Sequence, residues 1–155
     1  MASVDPVPDA RGDIETRDDC ERLVRAFYAR AMDDPIIGFI FVDVAKLDLD
    51  AHVPQISSFW ETILLGTKTY DGNPFAAHVP LHAKVELQEG HFKRWLGLWF
   101  GTVDELFAGD RANLAKVHAL RVAQAFHQRL QAFPSPSDDA SPAGLVVTQH
   151  AAKKP

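Results

Sequence analysis

The residues of this sequence with the clearest chemical potential are two histidines, His52 and His78, which flank an apolar helical stretch centred on Phe59 and Trp60. A flat, metal-containing ring needs an apolar slot, one imidazole to hold its metal, and polar groups on the opposite face. The stretch between the two histidines could supply a wall of such a slot and both imidazoles. The elements around it must supply the rest of such a pocket.

Composition limits the possible partners and compartments. The 155 residues suffice for one domain with a real core, and the net charge of -5 argues against binding to nucleic acid or to an anionic membrane. The single cysteine, Cys20, excludes an internal disulfide and a cysteine-rich zinc site. Because neither a signal peptide nor an apolar run near the roughly 20 residues of a membrane span is visible, we expect a cytoplasmic protein.

Composition also divides the chain into one predicted domain, residues 16–133, and two predicted disordered tails. Residues 1–15 carry Pro6, Pro8 and Gly12 among scattered acids, and residues 134–155 are rich in Pro, Ser, Ala and Asp. Such segments bury too little apolar surface to offset the entropy lost on ordering.

Apolar residues recur at helical spacing through the domain, and no run alternates as a strand does. The sequence therefore predicts an all-α domain. The predicted elements are a helix that starts at Thr16 and ends before Pro35, a buried turn over 36–42, a helix over 50–65 with Pro54 in its first turn, a short segment over 75–82 that is broken by Pro80, a helix over 85–107, and a helix over 110–133.

Two further residues could take part in a site. Tyr28 and Trp95 lie inside apolar stripes, and each carries a polar hydrogen that needs an acceptor when buried. Ordinary core packing is the alternative for both. The alternatives for the histidines are a core-edge or solvent-facing His52 and a solvated loop His78.

Other chemistries have weaker support in the sequence. A zinc site could use His78, His82 and either Glu86 or His91, but Pro80 interrupts the histidine pair and no HExxH pattern exists. Cys20 has no obvious histidine partner that would activate it as a nucleophile.

Three segments, taken in order over residues 18–133, resemble a truncated haemoglobin of the third group. They are AFYARAMDDPIIGFIF, AHVPQISSFWETILLGTKTYDGNPFAAHVPL and HFKRWLGLWFGTVDELF. The specific features are FY in the first long helix, a histidine followed by FW and LLG, a Y-x-G-x-P turn that leads into the second histidine, and the late RWL.

The resemblance implies a truncated globin fold, with helices stacked two over two around one haem b (iron protoporphyrin IX). His78 would be the proximal iron ligand, and Tyr28, His52 and Trp95 would stabilise a ligand on the distal side. The implied cofactor-binding residues are Phe41, His52, Ile56, Phe59, Trp60, His78 and Trp95.

The implied function is binding of dioxygen, carbon monoxide, nitric oxide or cyanide at a five-coordinate iron, and the distal donors predict tight oxygen binding. The alternative is a haem redox enzyme, with peroxidase-like or nitric oxide dioxygenase activity and a reductase partner. His52 could be its acid-base group, although Arg94 is expected to point away from the distal face. A third possibility is a helical interaction domain without a cofactor.

Overall fold

The computed structural model describes residues 10–137, and no strand occurs in that range. The all-α prediction is confirmed. The elements are α1 (Arg17–Met32), a π-helical turn (Ile40–Val44), α2 (Leu49–Leu65), α3 (Pro74–Lys84), α4 (Glu89–Leu106) and α5 (Asp110–Leu130). Within the described range, no helix is long and apolar enough to cross a membrane.

Local signals determine where α1 and α2 begin and end. The Thr16 hydroxyl accepts from the N–H of Asp19, and the Asp19 carboxylate accepts from the N–H of Thr16, so the predicted start of α1 is confirmed. The predicted end of α2 is confirmed at Gly66, whose φ of 75° suits glycine. Pro54 lies in the second turn of α2 rather than the first, because the helix already begins at Leu49.

The segment that carries His78 is a helix, and the prediction that Pro80 breaks it was wrong. The Asn73 side chain accepts from the N–H of Ala76, and Pro74 occupies the first position, where a missing N–H has little effect. Phe75 is buried and ties the helix to the core. This cap and this anchor outweigh the single backbone hydrogen bond that Pro80 removes.

The next helix starts later than the periodicity predicts, at Glu89 rather than near residue 85. The N–H of Leu87 donates to Nδ1 of the buried His82 over 3.1 Å, which holds the connection outside the helix. His91 then accepts from the N–H of Gln88 over 3.0 Å and helps to cap the first turn of α4.

The turn over residues 36–42 is only half buried, which corrects the prediction of a buried turn. Ile37 and Ile40 are in the core, whereas Ile36 and Val42 are 50% and 46% exposed and Phe39 is exposed as well. The backbone here is helical, so only one face of the segment can contact the core.

Two helix pairs form the body of the fold. α1 packs against α2 and α4 packs against α5, while α1 also contacts α4 and α2 contacts α5. Large aromatic side chains fill the space between the pairs. Trp99 is almost fully buried, with the Trp60 ring stacked 4.6 Å away, the Trp95 ring parallel to it at 6.0 Å, and the edge of Phe27 at 5.3 Å.

The described part of the predicted N-terminal tail is packed against the helices. Ile14 is fully buried, and the carbonyl of Gly12 accepts from the N–H of Ala108 over 3.0 Å. At the other end, Ser135 is buried within the described residues 134–137. The rest of both predicted tails lies outside the described residues.

The Asp13 carboxylate caps the start of α5, accepting from the N–H groups of Arg111 and Ala112 over 3.0 and 2.8 Å. Burial opposes ionisation, but hydrogen bonds from the N–H groups of Arg111, Ile14 and Ala112 outweigh it and lower the pKa of Asp13 below 3.8. Gly109 leaves the room for this contact, because a Cβ there would lie 2.5 Å from Cγ of Asp13.

We expect Asp13→Ala to lower the free energy of unfolding by about 1 kcal/mol, the usual effect of losing a capping side chain. The difference from wild type should be complete above pH 3.8 and shrink as the pH falls through the lowered pKa of Asp13, because protonation removes the anionic acceptor. Urea unfolding at several pH values measures both effects, with the exposed Asp18→Ala as control. Equal midpoints for the two variants would contradict the capping role.

Candidate functional site

An apolar cavity lies at the centre of the helices. Its inner part has a volume of about 160 Å³ and adjoins a cleft of about 650 Å³. The candidate residues that line the inner part are Tyr28, Phe41, Ile56, Phe59, Trp60, His78 and Trp95. The structure therefore gathers side chains from α1, the π-helical turn, α2, α3 and α4 around one space.

His52 lines the adjoining cleft rather than the inner part. The two spaces share walls, since Tyr28, Phe41 and His78 belong to both. The cleft is also more polar, with Gln55 and Tyr70 among its lining residues. His52 thus lies where the apolar interior meets the polar mouth.

One hydrogen bond fixes the orientation of the His78 ring. Its Nδ1 lies 2.7 Å from the carbonyl oxygen of Pro74. Because a carbonyl can only accept, Nδ1 must carry the proton, and in the neutral ring Nε2 then keeps a free lone pair. Burial lowers the pKa of His78, although the hydrogen bond to Pro74 raises it, so the neutral form is favoured.

A hydrogen-bonding pair lines the same space as His78. The hydroxyl oxygen of Tyr28 is 2.8 Å from Nε2 of His52, and the two rings meet edge to face at 5.2 Å. Burial raises the pKa of Tyr28 above its ordinary value, so its hydroxyl stays protonated. Burial lowers the pKa of His52, and charge on His78 lowers it further, which indicates that both imidazoles share one low-dielectric space.

Trp95 offers a third donor. Its ring packs edge to face on Phe27 at 5.9 Å and parallel to Trp99. The indole N–H of Trp99 donates to the carbonyl of Ala115 over 3.2 Å. In the part of the chain that the structure describes, the indole N–H of Trp95 has no such acceptor, and the Trp95 side chain lines the cavity.

Arg94, the residue before Trp95, is held away from the cavity, as the sequence predicts. Arg94 donates from Nε and one terminal nitrogen to Asp34 over 2.8 and 2.5 Å. The Asp34 side chain also accepts from the N–H groups of Ile36 and Ile37. Arg94 therefore anchors the turn before the π-helical segment and does not line the cavity.

The weaker chemical alternatives find no support in the described range. No three histidine, cysteine or carboxylate side chains cluster as metal ligands in residues 10–137. Of the zinc candidates, His82 already uses Nδ1 to accept from Leu87. Cys20 is buried, and burial together with the negative charge of Glu61 raises its pKa to about 11, so its thiol is a poor nucleophile.

Several residues that line the cavity were not predicted. Phe92 and Phe126 belong to apolar stripes of α4 and α5, so their helical phase relative to Trp95 could have identified them. His91 also lines the cavity, but its sequence context gave no such signal. The other unpredicted lining residues are Ile37, Ile40, Pro74, Leu81, Leu87, Val122 and Ala123.

The arrangement is similar to that of known proteins. The chain is 25% identical over 112 residues to the Group 3 truncated hemoglobin ctb of Campylobacter jejuni subsp. jejuni serotype O:2, and the match covers 70% of this chain and 86% of the relative. The crystal structure of group III truncated hemoglobin from Campylobacter jejuni matches with a TM-score of 0.68 and 24% identity, over 77% of this chain and 94% of that chain. No protein-family model matches.

The chain has a truncated haemoglobin fold. The resemblance to the third group of truncated haemoglobins is also confirmed, and the two helix pairs are the two-over-two arrangement that the resemblance implies. In this truncated haemoglobin fold the candidate residues occupy one continuous space, with His78 on α3 and the pair of Tyr28 and His52 on α1 and α2.

The two partly buried imidazoles of the site should make this fold acid-labile before any cofactor is added. The pKa values of His52 and His78 both lie below the ordinary 6.5, chiefly because of burial. The unfolded chain then binds more protons than the folded chain as the pH falls below 6.5, so we expect the apoprotein to lose stability there.

Urea unfolding of the apoprotein between pH 5 and pH 8 tests this loss of stability. One unit of difference between the folded-state and unfolded-state pKa of a histidine changes the free energy of unfolding by about 1.4 kcal/mol at most. The double variant His52→Leu with His78→Phe should have a flatter profile, while His127→Ala, outside the cavity walls, should keep the wild-type slope. If stability depends on pH as steeply in the double variant as in the wild type, His52 and His78 are not the cause of the acid lability.

Proposed function

We propose that this chain binds one haem b in the cavity and uses it to bind dioxygen and other small diatomic ligands. The observation that carries the proposal is the set of polar side chains in the walls of the cavity and the cleft. These walls present a single neutral imidazole with Nε2 free, that of His78, and the hydrogen-bonded pair of Tyr28 and His52. The walls between them are mainly apolar.

These residues fit the cofactor. His78 would hold the iron through Nε2, since Nδ1 is engaged by Pro74. Phe41, Ile56, Phe59 and Trp60 would contact the flat faces and apolar edges of the ring. The more polar cleft suits its carboxylate groups. When bound, haem supplies an iron with one open coordination position, at which oxygen, carbon monoxide, nitric oxide or cyanide can bind.

The distal donors support tight oxygen binding. A protonated Tyr28 hydroxyl and the unpaired indole N–H of Trp95 could both donate to a polar diatomic ligand. A net hydrogen bond contributes about 1 kcal/mol, and about 1.4 kcal/mol corresponds to a tenfold change in a rate or affinity. Such retention suits sensing, scavenging or redox handling better than oxygen transport.

In this proposal, His52 controls how readily the Tyr28 hydroxyl can donate to a ligand. Because its Nε2 already shares a hydrogen bond with Tyr28, the direction of that bond decides whether the tyrosine hydrogen is free for a ligand. A neutral His52 that accepts from Tyr28 weakens the distal donor. A His52 that donates its own proton to the Tyr28 oxygen leaves the tyrosine hydrogen available.

A haem redox enzyme with a reductase partner is supported less. Arg94, the cation that adjoins Trp95, is tied to Asp34 and does not reach the cavity. His52 remains the acid-base candidate of that alternative. The single buried cysteine is in keeping with a reducing cytoplasm, which we propose as the compartment.

The proximal role of His78 predicts a spectral loss. The purified chain mixed with haemin should show a strong Soret band. His78→Ala should lose stable haem binding because, among the described residues that line the cavity and the cleft, no other imidazole has its Nδ1 bound to a carbonyl and its Nε2 free. Added imidazole should partly restore the spectrum of this variant. His127→Ala is the control. A spectrum of His78→Ala that equals the wild-type spectrum would overturn the proximal assignment.

The distal donors predict faster oxygen release. Tyr28→Phe and Trp95→Phe should each raise the oxygen dissociation rate about five- to tenfold, since each removes one hydrogen bond of about 1 kcal/mol or more. Stopped-flow replacement of oxygen by carbon monoxide measures these rates. Tyr70→Phe removes a hydroxyl from the outer cleft and should leave the rate unchanged. If neither distal variant releases oxygen faster, the donor assignment fails.

A further inference from the structure

The outward face of α5 carries an apolar surface that the cavity does not explain. Leu114, Val117 and Leu120 are 38%, 43% and 39% exposed, and none of them lines the cavity or the cleft. Their spacing of three residues places Leu114 and Leu120 on the two flanks of Val117. We define these three residues as the α5 patch.

Two charged residues flank the α5 patch on the same face. Asp110 lies seven residues before Val117 and Arg121 lies four residues after it, and both are exposed. Neither forms an ion pair within residues 10–137, where the structure describes them. Eleven residues separate them, or about 16 Å of helix, so they cannot pair within one α5.

We propose that the α5 patch binds the α5 patch of a second copy of this chain, as an antiparallel helix pair around a two-fold axis at Val117. An antiparallel arrangement sets Leu114 of each copy beside the Val117 and Leu120 region of the other. A two-fold interface uses the same surface from both partners, which this face satisfies because its apolar residues are spaced evenly about Val117.

The charges support this occupant. In the antiparallel pair, Arg121 lies about 6 Å along the axis from the two-fold, and Asp110 of the other copy lies about 10 Å from it on the same side. The offset of about 4 Å is within the reach of an arginine side chain. The pairing forms this contact twice, so two unpaired cations meet two unpaired anions.

The α5 patch is small, which bears on how strongly two copies would associate. One exposed helix face per copy belongs to the class of small interfaces, which give weak and reversible association. The fraction of the chain that is dimeric should therefore rise with protein concentration and fall on dilution. Its formation does not depend on the proposed haem, because no α5 patch residue contributes to the cavity walls.

Sedimentation velocity of the full-length chain over a hundredfold concentration range tests the proposal. The weight-average mass of the wild type should rise towards that of a dimer, and Val117→Asp should remain a monomer throughout. Val42→Asp makes the same change at a site of similar exposure on another surface, and it should behave as the wild type does. A wild type that stays monomeric, or a dimer that Val117→Asp leaves intact, would overturn the proposal.

Charge reversal separates this pairing from other modes of dimerisation. Arg121→Glu and Asp110→Lys should each weaken association at least several-fold, because each places like charges opposite one another. The variant that carries both changes should regain most of the association, since the pair is then reversed across the interface. Failure of the double variant to recover, with wild-type circular dichroism and thermal midpoint, would exclude the antiparallel register.

Discussion

The hydrogen bond from Nδ1 of His78 to the carbonyl of Pro74 is the interaction on which the candidate site depends. It decides which ring nitrogen keeps a lone pair, and it holds the ring against rotation. Its acceptor exists in that position because Asn73 caps α3 and Pro74 begins it. A short helix that starts at a defined residue is therefore what gives one imidazole a fixed direction in an otherwise apolar space.

The walls of that space are supported by the aromatic core. Trp60 and Trp95 both line the cavity, and both stack on Trp99, which is nearly fully buried and donates to the carbonyl of Ala115 on α5. The edge of Phe27 completes the contact from α1. Because stacked rings pack densely and the central ring is pinned by a hydrogen bond, a shift of either wall would disturb the core of both helix pairs.

Much of the fold could be predicted from the sequence because its signals are local. The cap at Thr16, the stop at Gly66 and the apolar stripe around Trp95 act through residues three or four positions apart. The errors arose where the burial of one side chain, or a hydrogen bond between a side chain and the backbone, outweighs the helical pattern. Pro80 suggested a broken segment, but burial of Phe75 and the Asn73 cap sustain the helix, and the side-chain acceptor His82 delays the start of α4.

The candidate site divides in the same way. Periodicity could place Phe59, Trp60 and Trp95 on inward faces, and the resemblance could assign roles to them. Neither the periodicity nor the resemblance could reveal that the Tyr28 hydroxyl lies 2.8 Å from Nε2 of His52, because the two residues are brought together only by the packing of α1 on α2. The consequence is chemical, because a donor engaged by a neighbour differs from a free one. Under the proposed function, the relation between Tyr28 and His52, together with the Trp95 donor, would determine how strongly this cavity holds a polar ligand.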